Sequence, residues 1–146
     1  MGVAKPIAIG LSIMLAAVFG LAGTVKLTPM ISPAAHSHLA SEFNRYLIAL
    51  QLDRIGLDAV AFRTAVGVTE AFSAVSLLLP GLISFLGVIT LKIVMIGAIY
   101  THAMLSEPVI VPVVLLGLLF ALSTLKTKLR TAPATVGPAQ RKKKST

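Results

Sequence analysis

Arg63, Gly67 and Glu70 stand at steps of four and three residues, the spacing that sets three side chains on one face of a helix. The stretch around them, roughly 59–79, is otherwise apolar and long enough to cross a bilayer. An ionisable group at the centre of a membrane costs roughly 2.5 to 3.5 kcal/mol on insertion scales, so each one calls for a partner or a task. Arg63 lies near one end of its run and can snorkel; Glu70 lies about half-way and cannot. Lys26 closes an earlier apolar run, and His102 lies near the end of a later one, both at the level of the Arg63 end. Lys26 could reach toward Glu70, with His102 arriving beside it, and Gly67 opens room between the charges. Two chemistries fit this constellation: a polar cluster that only fixes helix register, or a site for a ligand, a proton or a partner. Lys92, inside the same run as His102, either faces Glu70 or marks a run that begins later, with Ile83 to Leu91 partly at the interface.

Other chemistries are excluded. The chain has no Cys, which removes disulfides, thiolate metal sites and cysteine nucleophiles. His36 and His38 form an H-x-H pair, but they follow Ser32-Pro33-Ala34-Ala35 in what reads as a loop, with no third ligand nearby, so no metal is expected. No Gly-rich phosphate loop, G-x-S-x-G or H-E-x-x-H occurs, and no cofactor is expected. With two Tyr, six Phe and no convincing haem-ligand pair, intrinsic redox chemistry is hard to build.

The elements that must position these groups follow from composition. Of 146 residues, 56% are hydrophobic and 12% charged, with a mean hydropathy of +0.93, which excludes both a soluble globule and a disordered chain. Four runs are long enough to span: about 7–25, 59–79, 83–105 and 109–125, the last with Pro112 in its first turn, where a missing N–H costs little. The expected fold is all-α, a four-helix transmembrane bundle forming one membrane domain over 1–131. The first run is read as a retained span; the alternative is a signal peptide with Lys5 as its basic region and Gly20-Leu21-Ala22 as a cleavage site. Ala16, Gly20 and Thr24 form a small-residue ladder on that run, a surface that lets the Arg63–Glu70 face approach closely. In the loop 27–58, Leu39, Phe43, Leu47 and Leu50 recur at helical spacing, with Glu42, Asn44, Arg45 and Gln51 on other faces. This predicts an amphipathic helix, started by Ser37 or Ser41, that lies on the membrane surface or caps the bundle, either as a cover for the helix ends or as a partner-binding element.

Charge sets the orientation. The net charge is +8, yet seven of the thirteen basic residues (Lys126, Lys128, Arg130, Arg141, Lys142, Lys143 and Lys144) follow the last apolar run with no aromatic among them. That is a topology signal and not a nucleic-acid reader. Four spans put both termini on one side, and the basic bias makes that side the cytosol, leaving the loop 27–58 in the lumen or exterior. The segment 132–146 reads as a disordered tail. It ends Lys143-Lys144-Ser145-Thr146, which resembles the dilysine signal that returns membrane proteins to the endoplasmic reticulum; the alternative is a generic basic stop-transfer tail.

Three segments together resemble the DoxX-like family of small four-helix membrane proteins: Gly23-Thr24-Val25-Lys26-Leu27-Thr28-Pro29, then Arg63 to Glu70, then Ala98-Ile99-Tyr100-Thr101-His102. The match runs in order across all four spans, and its first seven residues are similar to the branch that includes a nicotinic acetylcholine receptor chaperone. The resemblance places Lys26, Arg63, Gly67, Glu70 and His102 at the family's polar motif positions. It implies a non-enzymatic protein of the endoplasmic-reticulum membrane that assists folding and assembly of ligand-gated receptor subunits, with membrane lipid as its surroundings and a homo-oligomer possible. Other family members are linked to quinone-coupled membrane oxidoreductases, which implies an accessory subunit as the alternative. A further alternative is a small proton-coupled carrier using Glu70 and His102 as relay groups, which four short spans could form only as an oligomer.

Overall fold

The structure, a computed structural model, describes residues 3–131, and the tail with Lys143 and Lys144 lies outside the described residues. Five α-helices and one 3-10 turn follow one another: α1 (Ala4–Leu27), α2 (Pro33–Ala49), the turn Leu52–Ile55, α3 (Ala59–Leu78), α4 (Gly81–Met104) and α5 (Ile110–Thr131). Among them α1, α3, α4 and α5 are long and apolar enough to cross a bilayer, which makes this a multi-pass membrane protein.

The helix ends follow local chemistry. Thr28 and Leu79 each precede a proline and are extended, since the pyrrolidine ring disfavours helical backbone before it, and α1 and α3 stop there. Gly81 then takes a φ of +73°, a left-handed conformation that costs glycine little, and turns the chain into α4. At this end of the bundle Lys126 donates to the carbonyl of Leu77 at 3.0 Å and to the Ser84 hydroxyl, while Arg130 donates to the carbonyl of Gly81. Lys126 thereby satisfies a carbonyl left over in the last turn of α3, and Arg130, one turn on along α5, ties α5 to the first residue of α4.

The four long helices form a closed ring in which α1 and α4 each lie between α3 and α5. Leu15 and Phe19 from α1, Leu77 from α3, Leu91 from α4, and Leu119 and Leu122 from α5 meet in its centre, all buried. The outer surface keeps exposed Ile, Leu, Val and Phe side chains such as Ile13, Leu21, Phe72 and Ile93, as a lipid-facing surface should.

The amphipathic loop helix is α2, and it covers one end of the bundle with Phe43 and Leu47 buried. It begins earlier than Ser37 or Ser41. Ser32 is its cap, accepting from the amide of Ala35 at 3.2 Å, and Pro33 occupies the first turn, where proline's fixed φ favours a helix. His36 and His38 therefore lie on a helix and not in a loop, and two residues at about 100° each turn their rings to opposite sides.

Candidate functional site

The site is built on a close crossing of α1 and α3. A methyl group added at Gly23 would meet the Gly67 carbonyl oxygen at 2.7 Å and the Ala71 amide at 2.8 Å, so the two backbones touch here as only glycine allows. Of the α1 ladder, Gly20 faces the Ala74 side chain, Thr24 bonds back to the Gly20 carbonyl at 2.7 Å, and Ala16 packs against the core. The tightest contact thus falls at Gly23, which the four-residue ladder skips.

This crossing sets Lys26 beside Gly67 and carries its Nζ to Glu70 Oε2 at 2.6 Å. The side chains are 12% and 5% exposed, so the pair is nearly dry. In such surroundings each charge needs the other: an ion pair that loses one member leaves a stranded charge. Arg63 shares the α3 face with Glu70 but serves another contact. Its Nη1 donates to the His36 carbonyl at 3.3 Å, and its Nε is buried without a partner among the described residues. His36 itself donates from Nδ1 to the Val25 carbonyl at 2.7 Å, which ties α2 to the last turn of α1. His102 does not join the pair. It bonds through Nδ1 to Glu107 Oε2 at 2.8 Å, and Glu107 also receives Arg45 at 3.0 Å, linking α2 to the segment between α4 and α5. Tyr46 lies edge-on to the His102 ring, with centroids 5.6 Å apart. Burial raises the Tyr46 phenol above its ordinary value, Glu107 and Glu42 raise it further, and Arg45 partly opposes them.

Lys92 does not face Glu70. Its Nζ sits 4.0 Å from the centre of the Phe120 ring on α5, and α4 is continuous from Gly81 through it, so no later start relieves the charge. A cation over an aromatic face gains about 0.5 to 2 kcal/mol, which is below the cost of roughly 2.5 to 3.5 kcal/mol for a mid-bilayer charge.

The Lys26–Glu70 pair lines one side of a partly open cavity of about 430 Å³ to which all five helices contribute residues. Phe19 and Ala22 of α1, Val66 of α3, Met95 and Ala98 of α4, and Leu115 of α5 form its apolar walls, while Phe43 and Tyr46 of α2 close over it. The size suits a small molecule or a bulky side chain from a neighbouring helix. His102 and Thr101 also line it, so His102 shares the space of the ion pair without bonding to it. Sequence reasoning passed over His36, Arg45, Tyr46 and Glu107 as members of this end. The one available signal was Glu107, an acid placed just past His102 at the end of an apolar run.

Residues 10–123 match the sequence pattern of the DoxX-like family, a stretch that contains every cavity-lining residue. The chain belongs to the DoxX-like family. The chain is similar to proteins that are named novel acetylcholine receptor chaperone. One, from Macaca fascicularis, is 28% identical over 102 residues, covering 68% of this chain and 61% of that protein. One from Xenopus tropicalis is 31% identical over 102 residues, covering 68% and 63%. One from Mus musculus is 29% identical over 100 residues, covering 67% and 60%. The chain thus spans about three fifths of the length of the curated relatives it matches.

Proposed function

We propose that this DoxX-like protein is a non-enzymatic membrane chaperone that assists folding and assembly of nicotinic acetylcholine and related ligand-gated receptor subunits. The name carried by its relatives supports the client class. The observation that carries the mechanism is the Lys26–Glu70 pair on the wall of an apolar cavity. A receptor helix awaiting its neighbours exposes polar groups to lipid, and such a group can exchange into a charged pair that already sits in an apolar setting. Polar contacts between spans are worth only about 0.6 to 2 kcal/mol each, weak enough for release once the subunits pair with one another. In this reading Lys26, Glu70 and His102 meet the client, Arg63 and Gly67 hold the geometry, and the Ala16, Gly20 and Thr24 surface seats α1 on α3.

The protein resides in the endoplasmic-reticulum membrane with both termini cytosolic and α2 lumenal. The excess of Lys and Arg after the last span supports that orientation. The test is receptor output. Glu70→Ala should lower surface expression of a co-expressed nicotinic receptor when variant and wild type are compared at matched amounts in the membrane. Unchanged receptor output at matched amounts would sink this mechanism.

One observation favours a second reading. An apolar cavity with an acid–base pair at its wall also suits a quinone head group, as an accessory subunit of a quinone-linked oxidoreductase would require. Protein purified from its native membrane without bound quinone, and without effect on quinone reduction, would retire it.

A further inference from the structure

Among the described residues, a charge balance leaves Lys92 without a counter-ion. The chain has five acidic residues. Glu42 meets Arg45, Glu70 meets Lys26, and Glu107 meets His102 and Arg45. Asp58 caps α3 by accepting from the amide of Ala61, and Asp53 lies in the turn that follows α2, outside the spans. Glu70 is the one carboxylate within a span, and it is already neutralised. Escape to the surface is equally closed. Lys92 lies 11 residues from Gly81 and 12 from Met104 within α4, about 16 Å and about 18 Å at 1.5 Å per residue, further than its four-carbon stem reaches. The Phe120 ring offsets part of the cost of this ammonium and supplies no negative charge.

The surface around Lys92 is open. Ile89 and Ile96, on the same face of α4, are 36% and 54% exposed, and Phe120 is 54% exposed. Gly117, one turn from Phe120 on α5, has nothing within 4 Å of where a side chain would begin, so a helix could approach the α5 backbone closely there. Of the four spans, α5 is the least covered: 17% of its most apolar stretch is buried, against 28% to 33% for the others. A second copy of this chain cannot supply the missing charge, because its one carboxylate at this depth, Glu70, is 4% exposed and held by its own Lys26.

We propose that the Lys92–Phe120 face of α4 and α5 docks a transmembrane helix of another protein that carries an aspartate or glutamate near the middle of the bilayer. The cation is held in place by the ring, the flanking isoleucines and Gly117 give an apolar seat, and a carboxylate arriving at that depth neutralises a charge that the chain itself leaves open. This surface is separate from the cavity, so it stands or falls apart from the receptor-chaperone reading.

The test uses the full chain in phosphatidylcholine vesicles with labelled single-span peptides of leucine and alanine that carry Asp, Asn or Leu at the centre, read by energy transfer. The Asp peptide should associate about tenfold more tightly than the Leu peptide, the scale of one good polar contact between spans. The preference should vanish in Lys92→Met, survive in Lys92→Arg and weaken in Phe120→Ala. Circular dichroism of each variant checks that the bundle is intact. Equal association of the Asp and Leu peptides with the wild-type chain overturns the proposal, and so does an Asp preference that persists in Lys92→Met. Displacement of the Asp peptide by oleate at equal mole fraction also overturns it, since the face would then be a site for acyl carboxylates and not for a protein helix.

Discussion

Lys26 and Lys92 carry the same charge into apolar helices, but Lys26 meets Glu70 at 2.6 Å whereas Lys92 meets the Phe120 ring, 4.0 Å from its centre. The first is closed by two backbones in contact at Gly23 and Gly67 and lies beside a cavity; the second lies on an open face of the two helices that pack outside that crossing. Since both sites hold a cation where water is scarce, the difference lies in what completes them. Lys26 is completed within the fold, so changes there should be felt as stability before they are felt in any contact with a client. Lys92 is left open by the fold, so changes there should be felt in association. A charge that helps fold the chain and a charge that waits for something else are separable by which of two measurements they move.

The largest effect should come from breaking the closed site. Glu70→Leu strands the Lys26 ammonium among apolar side chains and should destabilise the bundle by about 3 kcal/mol, read as unfolding in mixed micelles. Lys26→Met/Glu70→Leu removes both charges and should recover most of that loss, because no charge is left unpaired. If the double variant is as unstable as the single one, the pair is not what holds α1 to α3. Next in size is the open site. Lys92→Met removes an unneutralised charge together with a ring contact, so the folded bundle should stay within about 1 kcal/mol of wild type, or gain, in the same assay. A loss equal to that of Glu70→Leu would mean that Lys92 is completed inside the fold after all, and the comparison would collapse.

Apolar length made the four spans legible, since few arrangements other than a membrane bundle accommodate such runs. The ends were less so. Ser32-Pro33 reads as a loop when proline is taken as a breaker, although proline in the first turn with serine before it starts α2. That misplacement also hid His36, whose bond to the Val25 carbonyl exists only if the helix has already begun. The rule that buried charges seek each other is blind to sequence distance, which is how it can relate Lys26 to Glu70 across 44 positions. It points Lys92 at Glu70 equally well, and there it fails, because one carboxylate is neutralised once. Phe120 could not be named as the alternative partner, since an aromatic on a lipid-facing span carries no mark that separates a cation's neighbour from a lipid's.

A third cluster calibrates the other two. Arg45, Glu107 and His102 form a matched network like the closed site, but their side chains are 50%, 20% and 27% exposed, so water shares the work. Glu107→Gln should therefore cost only a few tenths of a kcal/mol up to about 1 kcal/mol, the range of solvent-exposed pairs. Its clearer readout is Tyr46. Folding raises this phenol above the ordinary 10, by burial first and by Glu107 and Glu42 next. The folded state therefore holds the phenolic proton more tightly than the unfolded chain does. The resulting stabilisation is complete below the unfolded value and is lost as pH climbs through the folded one. Removing the Glu107 charge should bring the Tyr46 titration down toward 10, seen as earlier growth of phenolate absorbance, while Tyr46→Phe identifies which of the two tyrosines is reporting. A Tyr46 titration that Glu107→Gln leaves in place would show that burial alone sets it, and that charge at this end of the molecule is too screened to serve as the intermediate case between Lys26 and Lys92.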